Sequence, residues 1–269
     1  MKTTPDLQKL AAEIRYQLIL MAKRGKAAHL GSSLSCVDLI VAAYWNYLNI
    51  SPKDPQNRLR DRFILSKGHA ITALYGCLAE KGFFAKELLE TFNQDGGCLP
   101  EHPSPQCVPG IEMATGSLGH GLSVGLGQAL AGKILGEAYQ VMVLLSDGEC
   151  NEGSVWEAAL FAPAHGVNNL TVVIDYNKWQ ATGRSDEVMQ LSPLKDKWES
   201  FGWQALEIDG NNLEEISAAY SQISPDKPTA IIAHTIKGKG VSFMEDDNNW
   251  HYRIPNDEEI AKAKEELGV

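Results

Sequence analysis

Short apolar runs closed by polar turns alternate along this chain with longer segments whose apolar positions recur at helical spacing. Residues 141–145 are uninterruptedly apolar, the signature of a parallel strand buried on both faces. Ser146-Asp147-Gly148 closes that run, residues 155–164 carry a helical period, and residues 170–174 form a second buried strand ended by Asp175-Tyr176-Asn177. The result is a βαβ unit whose two strands end on the same side of the sheet, where open α/β folds bind ligands.

The same grammar extends in both directions. Upstream it predicts a helix over 6–28 with Asp6 as its cap, an apolar and aromatic helix over 36–48, a short strand inside 60–69 and a helix over 70–80. Residues 92–116 are irregular, with Pro100, Pro103, Pro105 and Pro109, and loops of that length inside a compact domain are usually functional or disordered. A small-residue helix follows, ending near Gly136. Downstream come a helix over 193–201, a strand over 204–208, a helix opened by Asp209-Gly-Asn-Asn212 and running through Ile223, and a strand over 229–234. Residues 235–251 read as a mobile segment, and the charged helical tail from about 255 reads as a solvated cap. The fold class is α/β: a mostly parallel sheet with helices on both faces, in a single domain over 1–269.

Composition narrows the function without naming it. The net charge is −10 and no basic run follows a phosphate backbone, which excludes a nucleic-acid partner. No apolar run approaches the roughly 18 residues of a membrane span. Leu7, Leu10, Ala11, Ile14 and Leu18 make the start an amphipathic helix rather than a signal peptide, so the expected location is cytoplasmic with no membrane association. Five scattered cysteines without CxxC spacing read as reduced thiols, and Cys98 and Cys107 beside His102 lack the short spacing of a zinc site. The glycines match neither a dinucleotide fingerprint nor a P-loop, since no G-x-G-x-x-G follows a strand and Gly238-Lys-Gly240 has the wrong spacing.

Asp147 and Asn177 end the two central strands and would sit side by side. They read either as ordinary strand-ending turn residues or as two hard oxygen ligands for Mg²⁺ or Ca²⁺; Mg²⁺ usually takes few protein ligands and completes its shell with phosphate and water. His69 precedes a helix whose N-terminus favours an anion on dipole grounds.

An Asp-Gly ending one strand and an Asn about thirty residues later resembles the thiamine-diphosphate motif in its transketolase version, and the likeness extends from about Leu7 to His251. The resemblance implies the thiamine-diphosphate-binding fold and roles for particular residues. Asp147, Asn177 and the backbone carbonyl of Trp179 would hold Mg²⁺ or Ca²⁺. His69, in RDRFILSKGH, would contact the diphosphate, and Gly116, Ser117 and Leu118, in TGSLGHG, together with Gly148 and Asn177, would line the cofactor site. His29, in KAAHLGSS, and His251, after KGKG, would transfer protons and bind substrate hydroxyls, and His102, in Glu101-His102-Pro103, would reach the reacting end of the cofactor. Glu152, which the resemblance also counts with the cofactor-binding residues, matches a family Glu near the subunit interface. Ser117, His120 and the Asn211 of DGN depart from the family's usual residues, and ligand contacts by Asn211 and Lys237 stay open.

The family's activating Glu, its pyrimidine pocket and most of its substrate-phosphate grip lie in a second domain that this sequence lacks. The chain therefore resembles the N-terminal subunit of a split transketolase. The expected partner is a C-terminal subunit with the pyrimidine-binding domain, assembled as α₂β₂. The expected reaction transfers a two-carbon ketol unit from a ketose phosphate to an aldose. Two alternatives stand beside it: the α subunit of a 2-oxoacid dehydrogenase, which shares the Asp-Gly…Asn motif, and a non-catalytic paralogue that binds cofactor or partner, suggested by the absent Glu and opposed by the retained histidines. RDRFILSKGHA, TGSLGHG and the KGKG…WH segment favour transketolase.

Overall fold

A computed structural model describes residues 5–269. Five strands form one wholly parallel sheet: β1 (Arg62–Leu65), β2 (Val141–Ser146), β3 (Leu170–Tyr176), β4 (Gln204–Asp209) and β5 (Thr229–His234), in the order β1-β2-β3-β5-β4. β2 and β3 are buried along their whole length, which is why their sequences alternate so little.

The period of two survives as a division between cores. Val141, Val143, Leu145, Val172, Ile174 and Ile232 point to one face, under α5 (Gly121–Leu135), α6 (Gly153–Ala164) and α8 (Leu194–Ser200). Met142, Leu144, Val173, Ile231 and Ala233 point to the other, under α1 (Leu7–Gly25), α2 (Leu30–Ser35), α3 (Val37–Ala42), α4 (Ile71–Lys81) and α9 (Leu213–Ser221). Helices thus cover both faces. At Gly125 on α5 an added Cβ would meet Val143 Cγ2 at 2.5 Å, so this glycine lets the helix sit directly on β2.

Three segments differ from the sequence expectation. The helix expected over 36–48 stops at Ala42 and continues as a π turn, Ala43–Tyr47, because the Leu48 N–H reaches back to the Ala43 carbonyl at 2.8 Å. Residues 235–251 are packed, with Val241, Met244 and Trp250 fully buried. The tail forms α10 (Asp257–Leu267), with α7 (Ser185–Val188) the remaining short helix between β3 and α8; α10 carries a full capping box at Asn256, buries Ala263 and packs on α1 rather than standing free in solvent. Among the described residues no helix is long and apolar enough to cross a membrane.

Candidate active site

The parallel register sets Ser146 beside Asp175, so the turns after β2 and β3 emerge together. Above them lies a cavity of about 400 Å³ lined by His29, Ser32, His69, His102, Gly116, Leu118, Gly148, Asn151, Glu152, Asn177, Trp179, Gln180 and His251, among others. All four histidines for which the sequence suggested a role reach it.

Four imidazoles converge on one wall. The His29 ring centroid lies 4.8 Å from that of His251, 5.3 Å from His69 and 6.2 Å from His102. His29 occupies the left-handed region, φ 70°, as the cap of α2, and its N–H donates to the His251 carbonyl at 2.6 Å. Lys237, fully buried, has its Nζ 2.6 Å from Asn248 Oδ1 and 3.3 Å from His251 Nδ1. An ammonium can only donate, so Nδ1 of His251 accepts and its proton sits on Nε2. Burial lowers the Lys237 pKa to about 8, with Lys67 adding to the effect.

Burial also pushes His251 down to about 3 and His69 well below the ordinary imidazole value, reinforced by neighbouring lysines and by the rings themselves. These imidazoles are neutral at pH 7, able to accept or donate a proton. A base with a depressed folded pKa contributes stability that is present above its unfolded value of about 6.5 and is lost as pH falls toward the folded one. We therefore expect the urea midpoint to drop progressively below about pH 6.5 and to drop less steeply in His251→Gln, read by tryptophan fluorescence. Equal slopes would remove His251 from the acid response.

The Gly116 segment is pinned from beneath. Glu149, fully buried, accepts from the Gly119 N–H at 2.8 Å and from the Ser66 hydroxyl, while Thr115 Oγ1 donates to the Leu65 carbonyl at 2.7 Å. Gly116 has φ 145°, and a Cβ there would stand 2.7 Å from His102 Cδ2; only glycine lets His102 fold over this backbone. Gly116 and Leu118 line the cavity, whereas Ser117 does not.

Asp147 is wholly buried. Its Oδ1 accepts from the Gly148 N–H at 2.9 Å, and its Oδ2 from the Lys178 N–H at 2.8 Å and Ser185 Oγ at 2.7 Å. Burial nevertheless pushes its pKa up to about 7. Asn177 turns its Oδ1 to the Trp179 N–H at 3.0 Å. Among the described residues no three His, Cys, Asp or Glu side chains form a closed metal cage. A buried carboxylate short of positive charge beside one amide oxygen fits a hard divalent cation that keeps water and phosphate oxygens in its shell.

The Trp179 side chain takes another role. Its ring lies 3.8 Å from the Arg184 guanidinium and its Nε1 donates to Asp246 at 2.8 Å, while Arg184 grips Asp246 with two 2.6 Å bonds. This clamp ties the turn after β3 to the segment that carries His251. Glu152, at the N-cap of α6, is exposed on the cavity rim and makes no side-chain hydrogen bond among the described residues.

Sequence reasoning missed the support under the site. Asp175 and Lys67 form a fully buried ion pair, joined by Ser35, Thr235 and Asn177. Ser32, Asn151 and Gln180 line the cavity and were also missed. The one available signal was a charge at the end of an apolar strand, which reads as turn chemistry. Asn211 does not line the cavity; it braces Ser35, Asp38 and Ile236.

A family profile, "Transketolase, thiamine diphosphate binding domain", matches residues 7–269. The chain is 42% identical over 255 residues to an apulose-4-phosphate transketolase subunit from Phocaeicola vulgatus, covering 94% of this chain and 90% of that one. It is 43% identical over 242 residues to the 6-deoxy-6-sulfo-D-fructose transketolase subunit SqwG of a Clostridium species, covering 89% and 88%. A solved transketolase from Campylobacter jejuni superposes with a TM-score of 0.93 at 31% identity over 98% of this chain, which spans only 43% of that one. On the profile, these relatives and the shared fold, the chain belongs to the transketolase thiamine diphosphate-binding domain family.

Proposed function

We propose that this chain is the cofactor-holding subunit of a two-chain transketolase, which transfers a two-carbon ketol unit from a ketose phosphate or sulfonate to an aldose phosphate. The observation that carries this reading is the convergence of four imidazoles over the turns that bear Asp147 and Asn177. Bound thiamine diphosphate supplies the electron sink for breaking and making the carbon–carbon bond beside a carbonyl.

The chain's own residues do the rest. Asp147, Asn177 and the Trp179 carbonyl hold Mg²⁺ or Ca²⁺; His69, the Gly116 to Leu118 backbone and Gly148 receive the diphosphate end. His251 offers an N–H to a substrate oxygen and His29 takes or returns a hydroxyl proton, both suited to this by being neutral. His102, lying against Gly116, reaches toward the reacting end. The whole of 1–269 acts as one domain, with the tail from about 255 docked on α1.

A partner is part of the proposal. Two relatives that this chain nearly spans are named as subunits, and exposed Glu152 at the rim gives a second chain a carboxylate to engage. The proposed assembly is a cytoplasmic α₂β₂ tetramer. The test is ketol transfer to ribose 5-phosphate with thiamine diphosphate and Mg²⁺, from xylulose 5-phosphate, apulose 4-phosphate or 6-deoxy-6-sulfofructose. Each donor is offered to the chain alone and to the chain mixed with the product of the neighbouring reading frame. Turnover only in the mixture is expected, and the preferred donor identifies the substrate. Turnover by the chain alone would refute the two-chain reading, and no turnover of any donor would refute ketol transfer.

A further inference from the structure

One acid stands behind the cavity wall, against His29, and has no role in the proposed chemistry. Glu101 lies in the irregular loop beside His102, about a third exposed, and its Oε1 accepts from the Ala28 N–H at 3.3 Å. The same oxygen stands 3.8 Å from Nδ1 of His29. That nitrogen is buried and has no hydrogen-bond partner among the described residues, although the side chain as a whole is 20% exposed and lines the cavity.

We propose that Glu101 is the positioning residue of His29: its carboxylate accepts the proton on Nδ1 and so fixes the tautomer that leaves Nε2 as an acceptor in the cavity. A closure of about 1 Å brings the pair to hydrogen-bond distance, and contacts of this kind tighten when a site fills. A buried ring nitrogen without a partner is costly, and Glu101 supplies the acceptor within reach. The assignment complements that of His251. Lys237 makes His251 a donor, Glu101 makes His29 an acceptor, and the two rings stand 4.8 Å apart. The cavity thereby offers one proton acceptor and one proton donor side by side, which the transfer of a hydroxyl proton requires.

His102 in the loop of Glu101, Lys237 from the segment after β5 and Lys67 after β1 work against protonation of His29. The rings of His69, before α4, and His251 also face it. Burial lowers the pKa of His29 first, and Glu101 is the group that pulls it back up.

This inference rests on the proposed transketolase chemistry for its purpose, but its test does not. Long-range ¹H–¹⁵N spectra of the purified chain labelled with ¹⁵N-histidine report the tautomer and titration of each ring, with His29→Gln assigning the signal. We expect His29 as the Nδ1–H tautomer in the parent chain. In Glu101→Gln the tautomer stays, through the amide oxygen, while the titration midpoint moves to lower pH. In Glu101→Ala the ring reverts to Nε2–H. An Nε2–H ring in the parent chain, or an unchanged tautomer in Glu101→Ala, would overturn the assignment. In the assembled enzyme we expect Glu101→Ala to lower kcat by roughly 10- to 100-fold, as when a group orienting a functional imidazole is lost, with little change in KM and recovery in Glu101→Gln. A change in KM with kcat untouched would also overturn it. Inactivity of the parent assembly would count against the transketolase reading and leave the spectral result standing.

Discussion

Asp175→Ala is expected to destabilise the protein by about 3–5 kcal/mol, the cost of removing one partner from a buried ion pair. Asp175, the penultimate residue of β3, has no exposed surface, and its carboxylate receives the Lys67 ammonium, Ser35 Oγ at 2.6 Å, the Thr235 hydroxyl and the Asn177 amide at 3.4 Å. Lys67 is equally buried and donates its other bond to the Ser32 carbonyl at 2.9 Å. Burial alone would lower the lysine's pKa; the carboxylate reverses that and holds it above its ordinary value. Without Asp175 the ammonium must give up its proton or stay charged in a dry interior. Against a total stability of about 5–15 kcal/mol, urea unfolding should show a large fall in midpoint. Lys67→Met should behave similarly, because it strands the carboxylate. The double variant Lys67→Met/Asp175→Leu should be less damaged than the sum of the singles, since no buried charge is left. Additive losses would mean that the two groups are solvated independently. The same substitutions should weaken cofactor binding from outside the cavity, because Asn177, Ser32 and Ser35 are all tied to this pair.

What was legible in the sequence follows from what burial does to sequence. β2 and β3 are buried on both faces, so their apolar runs stand out and the observed bounds, Val141–Ser146 and Leu170–Tyr176, lie close to the expected ones. Asp6 caps α1 as expected, accepting from the N–H groups of Gln8 and Lys9. The π turn at Ala43–Tyr47 was invisible because its aromatic residues fit a helix as well as a turn; Tyr44 is placed by packing against Phe63 and Phe83, from two distant parts of the chain. Residues 235–251 looked mobile because their polar residues outnumber the anchors, yet Trp250 and Met244 fix them in the core and Lys237 is spent on His251. The histidines were legible through motif resemblance: His29 and His69 sit where helices begin, and His102 and His251 lie in non-strand segments whose motifs stand out. The ion pair beneath them was not. Lys67 and Asp175 are 108 positions apart, and each passes for turn punctuation until the sheet register brings the ends of β1 and β3 around the same point.

Asp147→Asn should remove Mg²⁺-dependent binding of thiamine diphosphate to the assembled enzyme, weakening it by at least about 100-fold, the upper end of what losing a merely supporting group costs. In the parent chain Oδ1 accepts from Gly148, Oδ2 accepts from Lys178 and Ser185, and burial still pushes the acid up to about 7. Those bonds orient the carboxylate without neutralising it, and a divalent cation would. Asparagine keeps the volume and one acceptor but loses the charge, and its amide nitrogen meets an N–H or a hydroxyl that needs an acceptor. That mismatch costs about 1–3 kcal/mol, which the fold survives, so circular dichroism should stay native while calorimetric titration of cofactor fails. The pH dependence separates a ligand from a bystander. A carboxyl whose pKa burial raises to about 7 must lose its proton to bind metal, so the parent enzyme's apparent affinity should rise between about pH 6 and pH 8, whereas Asp147→Asn should show no cofactor binding anywhere in that range. If Asp147→Asn instead binds cofactor normally at every pH, Asp147 is a strand-ending turn residue, and the cation, if there is one, is held elsewhere.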